Sequence, residues 1–294
     1  LKGGLGAVTV VTCALFGAIS GSSSASIAAI GQIMIPRMKK EGYPEGHATA
    51  LVACSSVLAL LIPPSIPMII FSITGGLSVG AAFLSTIIPG IMLTIIYCGL
   101  NFWFLRNNTE IKVEPALPFK QAVRGVVHSG NKAFFALLMP IIILGAIYSG
   151  IATPTEAAAI AVIYAIPVSL MIYKGLTFRT LGSATVRAVV MTGSIMAVLF
   201  FLFIMSRAMI LEQVPKQLAE ALLDISEHKL VILLVINLLL LLIGMIVDDI
   251  SGGVLAAIIF LPVVTELGIH PIHFAAIVGV NLGLGNVSPP CAPM

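Results

Sequence analysis

The sequence predicts an all-α protein that crosses a membrane several times. Of its 294 residues, 59% are hydrophobic and only 9% are charged, and the mean hydropathy is +1.13. In soluble domains about a quarter of all residues are charged. A helix that spans a bilayer needs about 20 mostly apolar residues. Several stretches of the chain approach that length, so the composition excludes an ordinary soluble domain.

Five apolar segments are predicted to span the membrane, because each is bounded by charge, glycine or proline. They cover residues 48–72, 84–105, 134–150, 155–173 and 187–211. Membrane lipid is therefore an expected partner. The net charge of +3 gives no reason to expect a nucleic-acid partner, because membrane topology explains the basic residues.

Two further apolar segments turn back after a polar tip. Residues 5–20 lead to GSSSAS and return through IAAIGQIMI, and residues 230–247 lead to DDISGG and return through VLAAIIFLPVV. Return arms of 9 and 11 residues reach about half of the hydrocarbon thickness at about 1.5 Å per residue. We therefore predict re-entrant hairpins at 5–36 and 230–264, with tips that protein or water must cover.

The two hairpins belong to an internal repeat with an offset of 226 residues. The positions that this offset superimposes are Ser22 and Asp248, Pro36 and Pro262, Gly42 and Gly268, His47 and His273, and Pro63-Pro64 and Pro289-Pro290. Because an odd number of spans separates the two tips, the repeats are predicted to be inverted in the membrane.

The distribution of basic residues supports opposite orientations. The first hairpin exits at Arg37, Lys39 and Lys40, whereas the second exits without Lys or Arg. With residues 37–40 in the cytoplasm, all Lys and Arg except Arg207, Lys216 and Lys229 lie inside, in agreement with the positive-inside rule.

Each repeat also contains a double proline within an apolar segment, in LALLIPPSIPMII and GLGNVSPPCAPM. Proline removes a backbone donor and clashes with the preceding turn, so helices at 48–72 and 273–294 are predicted to break. Broken helices paired with hairpin tips in inverted repeats form the midplane sites of secondary transporters. Because the chain ends within the second broken helix, we expect it to be truncated at both ends.

Asp248 and Asp249 are unusual because two adjacent carboxylates follow a long apolar run. Ionisable groups inside membrane segments commonly mark function. A carboxylate with nearby carbonyl and hydroxyl oxygens suits a hard cation such as Na⁺, and Gly252 and Gly253 permit close backbone approach. A solvated loop between two helices is the alternative interpretation.

The first tip, SGSSSAS, offers five hydroxyl groups around Gly21. These groups supply oxygens for a cation and donors for an anionic substrate, although small residues also let helices pack closely. The predicted first Na⁺ site contains Gly21, Ser22, Ser24, Ser26, Pro63 and Ser65. The predicted second Na⁺ site contains Asp248, Asp249, Gly252, Gly253, Gly285 and Ser288. The predicted substrate-binding residues are Ser22, Ser23, Ser24, Ser65, Asn286 and Ser288.

No Lys or Arg lies in either tip or beside either double proline. A substrate carboxylate is therefore expected to bind to helix N-termini, hydroxyl groups and bound cations.

Three stretches resemble a known family: residues 17–71, SGIATPTEAAAIAVIYA, and NLGLGNVSPPCAPM at the end. They are similar to the large membrane subunit, or permease, of tripartite ATP-independent periplasmic (TRAP) transporters. The resemblance implies an elevator-type carrier of the bacterial inner membrane that is coupled to Na⁺, with two or more ions. It implies an organic acid of the sialic acid or C4-dicarboxylate class as substrate. It also implies a small four-helix membrane subunit and a periplasmic substrate-binding protein as partners.

By the same resemblance, residues 1–110 and 228–294 form the moving transport domain, and residues 111–227 form the scaffold. Independently of it, residues 115–132 are predicted to form a basic interfacial helix on the cytoplasmic side.

Three other functions compete with a Na⁺-coupled carrier. A proton-coupled carrier or antiporter would use Asp248, Asp249 and the histidines. A passive channel is disfavoured by the closed polar tips. An intramembrane aspartyl protease needs an acid from each of two helices, and position 286 is Asn. We expect no enzymatic activity.

The inverted orientation predicts that the two hairpin exits face opposite sides of the membrane. In a cysteine-free background, Lys39→Cys should react with a membrane-impermeant maleimide only from the cytoplasm, and Leu267→Cys only from the other side. Reaction of both positions from the same side would contradict the inversion.

Overall fold

The computed structural model describes residues 2–111, 119–225 and 228–289, and every regular element in these ranges is a helix. Six of the helices are long and apolar enough to cross a membrane, and a pair bent by 42° provides a seventh candidate. The predicted class, an all-α polytopic membrane protein, is therefore confirmed.

The first part of the chain contains seven α-helices and one π-helical turn. They are α1 (Gly4–Ser20), α2 (Ser23–Ser26), π1 (Ile27–Gly31), α3 (Gln32–Lys40), α4 (Glu45–Ser56), α5 (Leu58–Leu61), α6 (Ile66–Thr74) and α7 (Val79–Leu105). The predicted break in the helix at 48–72 is confirmed, because α5 ends just before Pro63-Pro64 and the chain bends into α6.

The middle part contains four α-helices and a second π-helical turn. They are α8 (Phe119–Tyr148), α9 (Pro154–Pro167), π2 (Val168–Ile172), α10 (Phe178–Leu211) and α11 (Val214–Ile225). Residues 115–118 of the predicted interfacial helix lie outside the described residues. From Phe119 onward, α8 continues without a break into the predicted span at 134–150, so the two predicted elements form one helix. Its position relative to the membrane surface stays a prediction.

The last part contains the second hairpin and a final helix. The elements are α12 (Lys229–Ile246), α13 (Asp249–Leu255), π3 (Ala256–Phe260), α14 (Leu261–Glu266) and α15 (Pro271–Asn286). Of the predicted break near residue 289, the structure describes only the end of α15 and the residues up to Pro289. Pro290 and the residues after it lie outside the described ranges.

The predicted lengths of the return arms are wrong. The second arm is an 18-residue helix, Asp249–Glu266, and the first has the same length, Ser23–Lys40. The tip residues form the first helical turn instead of a separate loop, and a π-helical turn precedes the proline of each arm. A helix of 18 residues is about 27 Å long, which is close to the hydrocarbon thickness of about 30 Å. The length of the return arms therefore does not show that the hairpins are re-entrant.

Residues that are 226 positions apart form equivalent backbone hydrogen bonds. The amide of Gly21 donates to Gly17 O, and at the same offset the amide of Val247 donates to Ile243 O, both over 2.8 Å. The turns that follow the return arms also correspond, with positive φ at Gly42 and Gly268 and bonds from Tyr43 N to Met38 O and from Ile269 N to Val264 O. The two repeats thus fold alike, and their orientation in a membrane stays a prediction.

The contacts of the chain define two compact units. One unit consists of residues 112–195, and the other joins residues 2–111 to 196–294, so both hairpins lie in the same unit. The predicted division into a transport domain (1–110 and 228–294) and a scaffold (111–227) stays a prediction.

Glycines permit the closest helix contacts within the second unit. A Cβ atom added to Gly17 of α1 would lie 2.5 Å from Ala59 Cα of α5, and one added to Gly285 of α15 would lie 2.6 Å from Gly244 Cα of α12. Ala59 and Gly285 are equivalent under the offset. Close backbone contacts therefore hold α1 against α5 and α12 against α15.

This packing makes Gly17 intolerant of any side chain. Gly17→Ala should lower the free energy of unfolding by about 1–3 kcal/mol, as overpacking does. Gly99→Ala on α7, where no atom lies within 4 Å of the added Cβ, should leave it unchanged or raise it by up to about 1 kcal/mol. Thermal unfolding in detergent, followed by the fluorescence of the single tryptophan, Trp103, measures both. Equal midpoints of thermal unfolding for the two variants would refute the close contact between Gly17 and Ala59.

Candidate functional site

The two return arms begin with equivalent N-caps. Ser22 Oγ accepts a hydrogen bond from the amide of Ala25 over 3.4 Å. Asp248 Oδ2 accepts from the amides of Ile250 and Ser251, each over 3.1 Å. Because Ala25 and Ser251 are related by the offset, the same backbone donor is satisfied at both tips, by a hydroxyl in one and a carboxylate in the other.

Within the described residues, one side-chain hydrogen bond joins the two tips. Ser23 Oγ donates to Asp249 Oδ2 over 3.3 Å, and these two residues are 226 positions apart. Ser23 is buried and Asp249 is half-buried, whereas Asp248 is exposed. The two adjacent acids therefore have different surroundings: Asp248 caps its helix, and Asp249 faces the other hairpin.

The first broken helix is tied to the first tip. The amide of Ile66, at the start of α6, donates to Gly21 O over 3.2 Å. Gly21 has a φ of +62°, and an added Cβ would lie 2.8 Å from Pro64 O, so only glycine fits this approach. The predicted residues Gly21, Pro63 and Ser65 are thereby brought close to the serines of the tip.

The hydroxyl groups of the first site differ in their availability. Ser24 is exposed, and its Oγ lies 3.1 Å from Ser22 Oγ. Ser26 is buried and donates to Ser22 O over 3.0 Å, which leaves its oxygen lone pairs free to accept. Ser65 is fully buried, and its Oγ has no hydrogen-bond partner among the described residues.

The residues predicted for the second Na⁺ site, together with Asn286, also lie around a hairpin tip. Asn286 is 1% exposed, and its Oδ1 has no hydrogen-bond partner within the described ranges. Ser288 Oγ donates to Leu284 O over 2.8 Å. Gly252 and Gly253 are buried, and a Cβ on Gly253 would lie 3.6 Å from Pro67 O of α6. The second return arm therefore packs on the first broken helix, so that the two repeats share one site region.

The buried side chains of Asn281 and Asn101 link helices, and the sequence analysis did not predict these links. Asn281 Nδ2 on α15 donates to Asn237 Oδ1 on α12 over 2.6 Å. Asn101 Nδ2 on α7 donates to Gly3 O over 2.8 Å, and Asn101 Oδ1 lies 3.1 Å from His47 Nε2. Each asparagine interrupts an apolar run, and that interruption is the signal in the sequence that marks it.

A helical membrane protein whose capped hairpin tips meet beside a broken helix has an architecture typical of secondary transporters. The chain belongs to the family of the DctM component of tripartite ATP-independent periplasmic transporters, whose profile matches residues 1–293. The resemblance inferred from the sequence is thereby confirmed.

Three relatives, each 34% identical to the chain over 99% of its length, illustrate the family. One is an isethionate TRAP transporter permease protein (DctMQ) of Oleidesulfovibrio alaskensis, of which the chain covers 45%. The others are a C4-dicarboxylate TRAP transporter large permease protein (DctM) of Pseudomonas aeruginosa and a sialic acid TRAP transporter large permease protein (SiaM) of Vibrio cholerae, each covered to 67%. The chain thus spans less than half of the first relative and about two thirds of the others. Because the family and these relatives are transporter permeases, the expectation that the chain is not an enzyme is also confirmed.

The cap geometry separates the structural role of Asp248 from its charge. Asp248→Ala removes the acceptor of two backbone bonds and should lower the free energy of unfolding by about 1 kcal/mol, whereas Asp248→Asn caps equally well and should change it by only a few tenths. Ser22→Ala, which removes one longer bond, should cost less than Asp248→Ala. Thermal unfolding in detergent measures all three. Equal losses for the Ala and Asn variants would show that the charge, and not the cap, stabilises the tip.

Proposed function

We propose that this chain is the permease of a bacterial inner-membrane transporter that takes up an organic acid by Na⁺-coupled secondary active transport. A periplasmic substrate-binding protein delivers the acid, and a small four-helix membrane subunit completes the transporter. The part of the chain that carries both hairpins moves across the membrane as an elevator, and the remainder is the scaffold.

The observation that carries this proposal is the hydrogen bond between Ser23 and Asp249. It brings the tips of the two hairpins together and leaves one carboxylate half-buried at their meeting point. A carboxylate in such surroundings is costly unless a cation or donors compensate it. One hydroxyl donor compensates it only in part, which favours a cation there in the transporting state.

Asp249, and not Asp248, is the carboxylate that binds the coupling ion. Asp248 is exposed and already accepts two backbone hydrogen bonds. Among the described residues, Ser23 is the one side chain that donates to Asp249, through Oδ2, and Oδ1 is the oxygen that binds Na⁺. Gly252 and Gly253 follow one turn later, are buried, and carry no side chain that would keep an ion away from this turn.

Unpaired oxygens inside the protein supply neutral ligands for the ions. Ser65 Oγ and Asn286 Oδ1 are buried and have no hydrogen-bond partner among the described residues. Such groups cost about 1–3 kcal/mol when they stay unsatisfied. Ser65 follows the first double proline and Asn286 is the last residue of α15, so each repeat contributes one buried oxygen, at positions that the offset of 226 residues does not relate.

The substrate is an acid, and its carboxylate binds without a basic side chain. The N-termini of the two return arms and of α6 converge on the tips, where their amides and positive dipole ends favour an anion. The hydroxyls of the half-buried Ser22 and the exposed Ser24 add donors, and the bound ions add charge. The relatives named for sialic acid and C4-dicarboxylates support a substrate of one of these classes.

A Na⁺ titration of uptake into proteoliposomes, with the binding protein present, tests the proposal. Asp249→Asn keeps an oxygen acceptor for Ser23 but removes a charge–cation attraction worth about one to a few kcal/mol. The Na⁺ concentration for half-maximal uptake should therefore rise about ten-fold or more. Asp248→Asn is the matched control and should change it by a few-fold at most, and Ser22→Ala should give a mild defect. The defect of Asp249→Asn should be relieved by high Na⁺.

Three results would overturn the proposal or a part of it. An unchanged Na⁺ dependence in Asp249→Asn would exclude this carboxylate as a ligand. Uptake driven by a pH gradient without Na⁺ would favour the alternative, a proton-coupled carrier or antiporter that uses the same acids. Uptake of free substrate without the binding protein would refute delivery by that partner.

A further inference from the structure

A cavity of about 170 Å³ lies between α4 and α7. Four residues of α4 line it, from His47 to Cys54, and four of α7, from Tyr97 to Phe104, and both sets have the spacing i, i+3, i+4, i+7. This spacing defines one face of each helix over two turns. The cavity is therefore a slot, about 10 Å long at about 1.5 Å per residue, that runs parallel to the two helices.

The slot offers an apolar interior, because its polar atoms at one end are already paired. His47 Nε2 lies 3.1 Å from Asn101 Oδ1, and Asn101 Nδ2 donates to Gly3 O. An engineered apolar cavity of about 150 Å³ holds benzene, so the slot has room for several carbon atoms of an apolar ligand. It is too narrow for a helix, whose diameter is about 10 Å.

The paired end of the slot lies beside an aromatic and a basic residue. Trp103 is 56% exposed, and the Arg106 guanidinium carbon lies 5.7 Å from the centre of its ring. Such residues mark the membrane–water interface. Within the described ranges Arg106 forms no ion pair, so its charge is available to an anion. Further into the membrane, the outer face of α7 is apolar and exposed, as at Ile95.

We propose that this slot binds one acyl chain of an anionic glycerophospholipid. The phosphate lies at Arg106, and the chain extends from His47 toward Cys54. The apolar walls, the alignment with the helices and the basic residue at the interfacial end together fit a lipid of this class. The site is separate from the hairpin tips, so the proposal is independent of the transported substrate.

Alkylation of Cys54 by N-ethylmaleimide provides the test. In the purified chain, depleted of lipid by detergent, phosphatidylglycerol at about ten times its dissociation constant should slow the reaction about ten-fold. Cys98 on α7, half-buried like Cys54 but outside the slot, is the internal control and should react at an unchanged rate. Peptide mass spectrometry reports both sites in one sample.

Two variants and their controls complete the design. Ala50→Trp should fill the slot and abolish the effect of the lipid on Cys54, whereas Ala158→Trp on the exposed face of α9 should preserve it. Arg106→Gln should weaken protection by phosphatidylglycerol to the level given by phosphatidylcholine, whereas Arg179→Gln should not. Equal protection of Cys54 and Cys98, or full protection in Ala50→Trp, would overturn the site. Equal protection by the two lipids in the unmodified chain would overturn the role of Arg106.

As a second measurement, a photoreactive acyl chain should crosslink to Tyr97 or Leu100, and crosslinks spread evenly along α7 would contradict the proposal.

Discussion

The structure depends on satisfying backbone donors where two helices begin inside an apolar protein. Each return arm leaves up to four amides without an intrahelical partner, and an unpaired amide in a lipid environment costs several kcal/mol. Ser22 and Asp248 solve this problem at equivalent positions, with the same donor satisfied in each arm. Once the tips are capped by their own side chains, the hairpins can approach each other, as the bond between Ser23 and Asp249 shows.

The two caps differ in charge, so the two tips contribute different chemistry to the site. A hydroxyl and a carboxylate both accept an amide hydrogen bond, but only the carboxylate adds charge. The first tip contributes Ser22 and Ser23, and the second contributes Asp248 and Asp249 at the same positions of the repeat. One fold, used twice, thus yields a neutral tip and an acidic tip. The positive ends of the return arms partly offset the charge of the acidic tip.

The sequence was sufficient to predict the offset of 226 residues and the first broken helix, because glycine and proline act on the backbone of their own segment. The re-entrant position of the hairpins stays a prediction. It was not sufficient for the length of the return arms, because serine and aspartate are favoured at the start of a helix as well as in turns. The bond between Asn237 and Asn281 was also not predicted. It depends on which faces of α12 and α15 pack together, and an apolar helix surrounded by lipid and protein has no polar face to reveal this.

The bond between Ser23 and Asp249 has a further consequence if the two repeats are related by the predicted two-fold axis. Two equivalent residues then lie on opposite sides of that axis, at a separation that grows with their distance from it. Since the side-chain oxygens of Ser23 and Asp249 approach to 3.3 Å, the axis passes between them. Most equivalent pairs lie far apart, and only residues at the axis can meet. A ligand bound at this point contacts both repeats at once, so that the two halves of the chain act on it together.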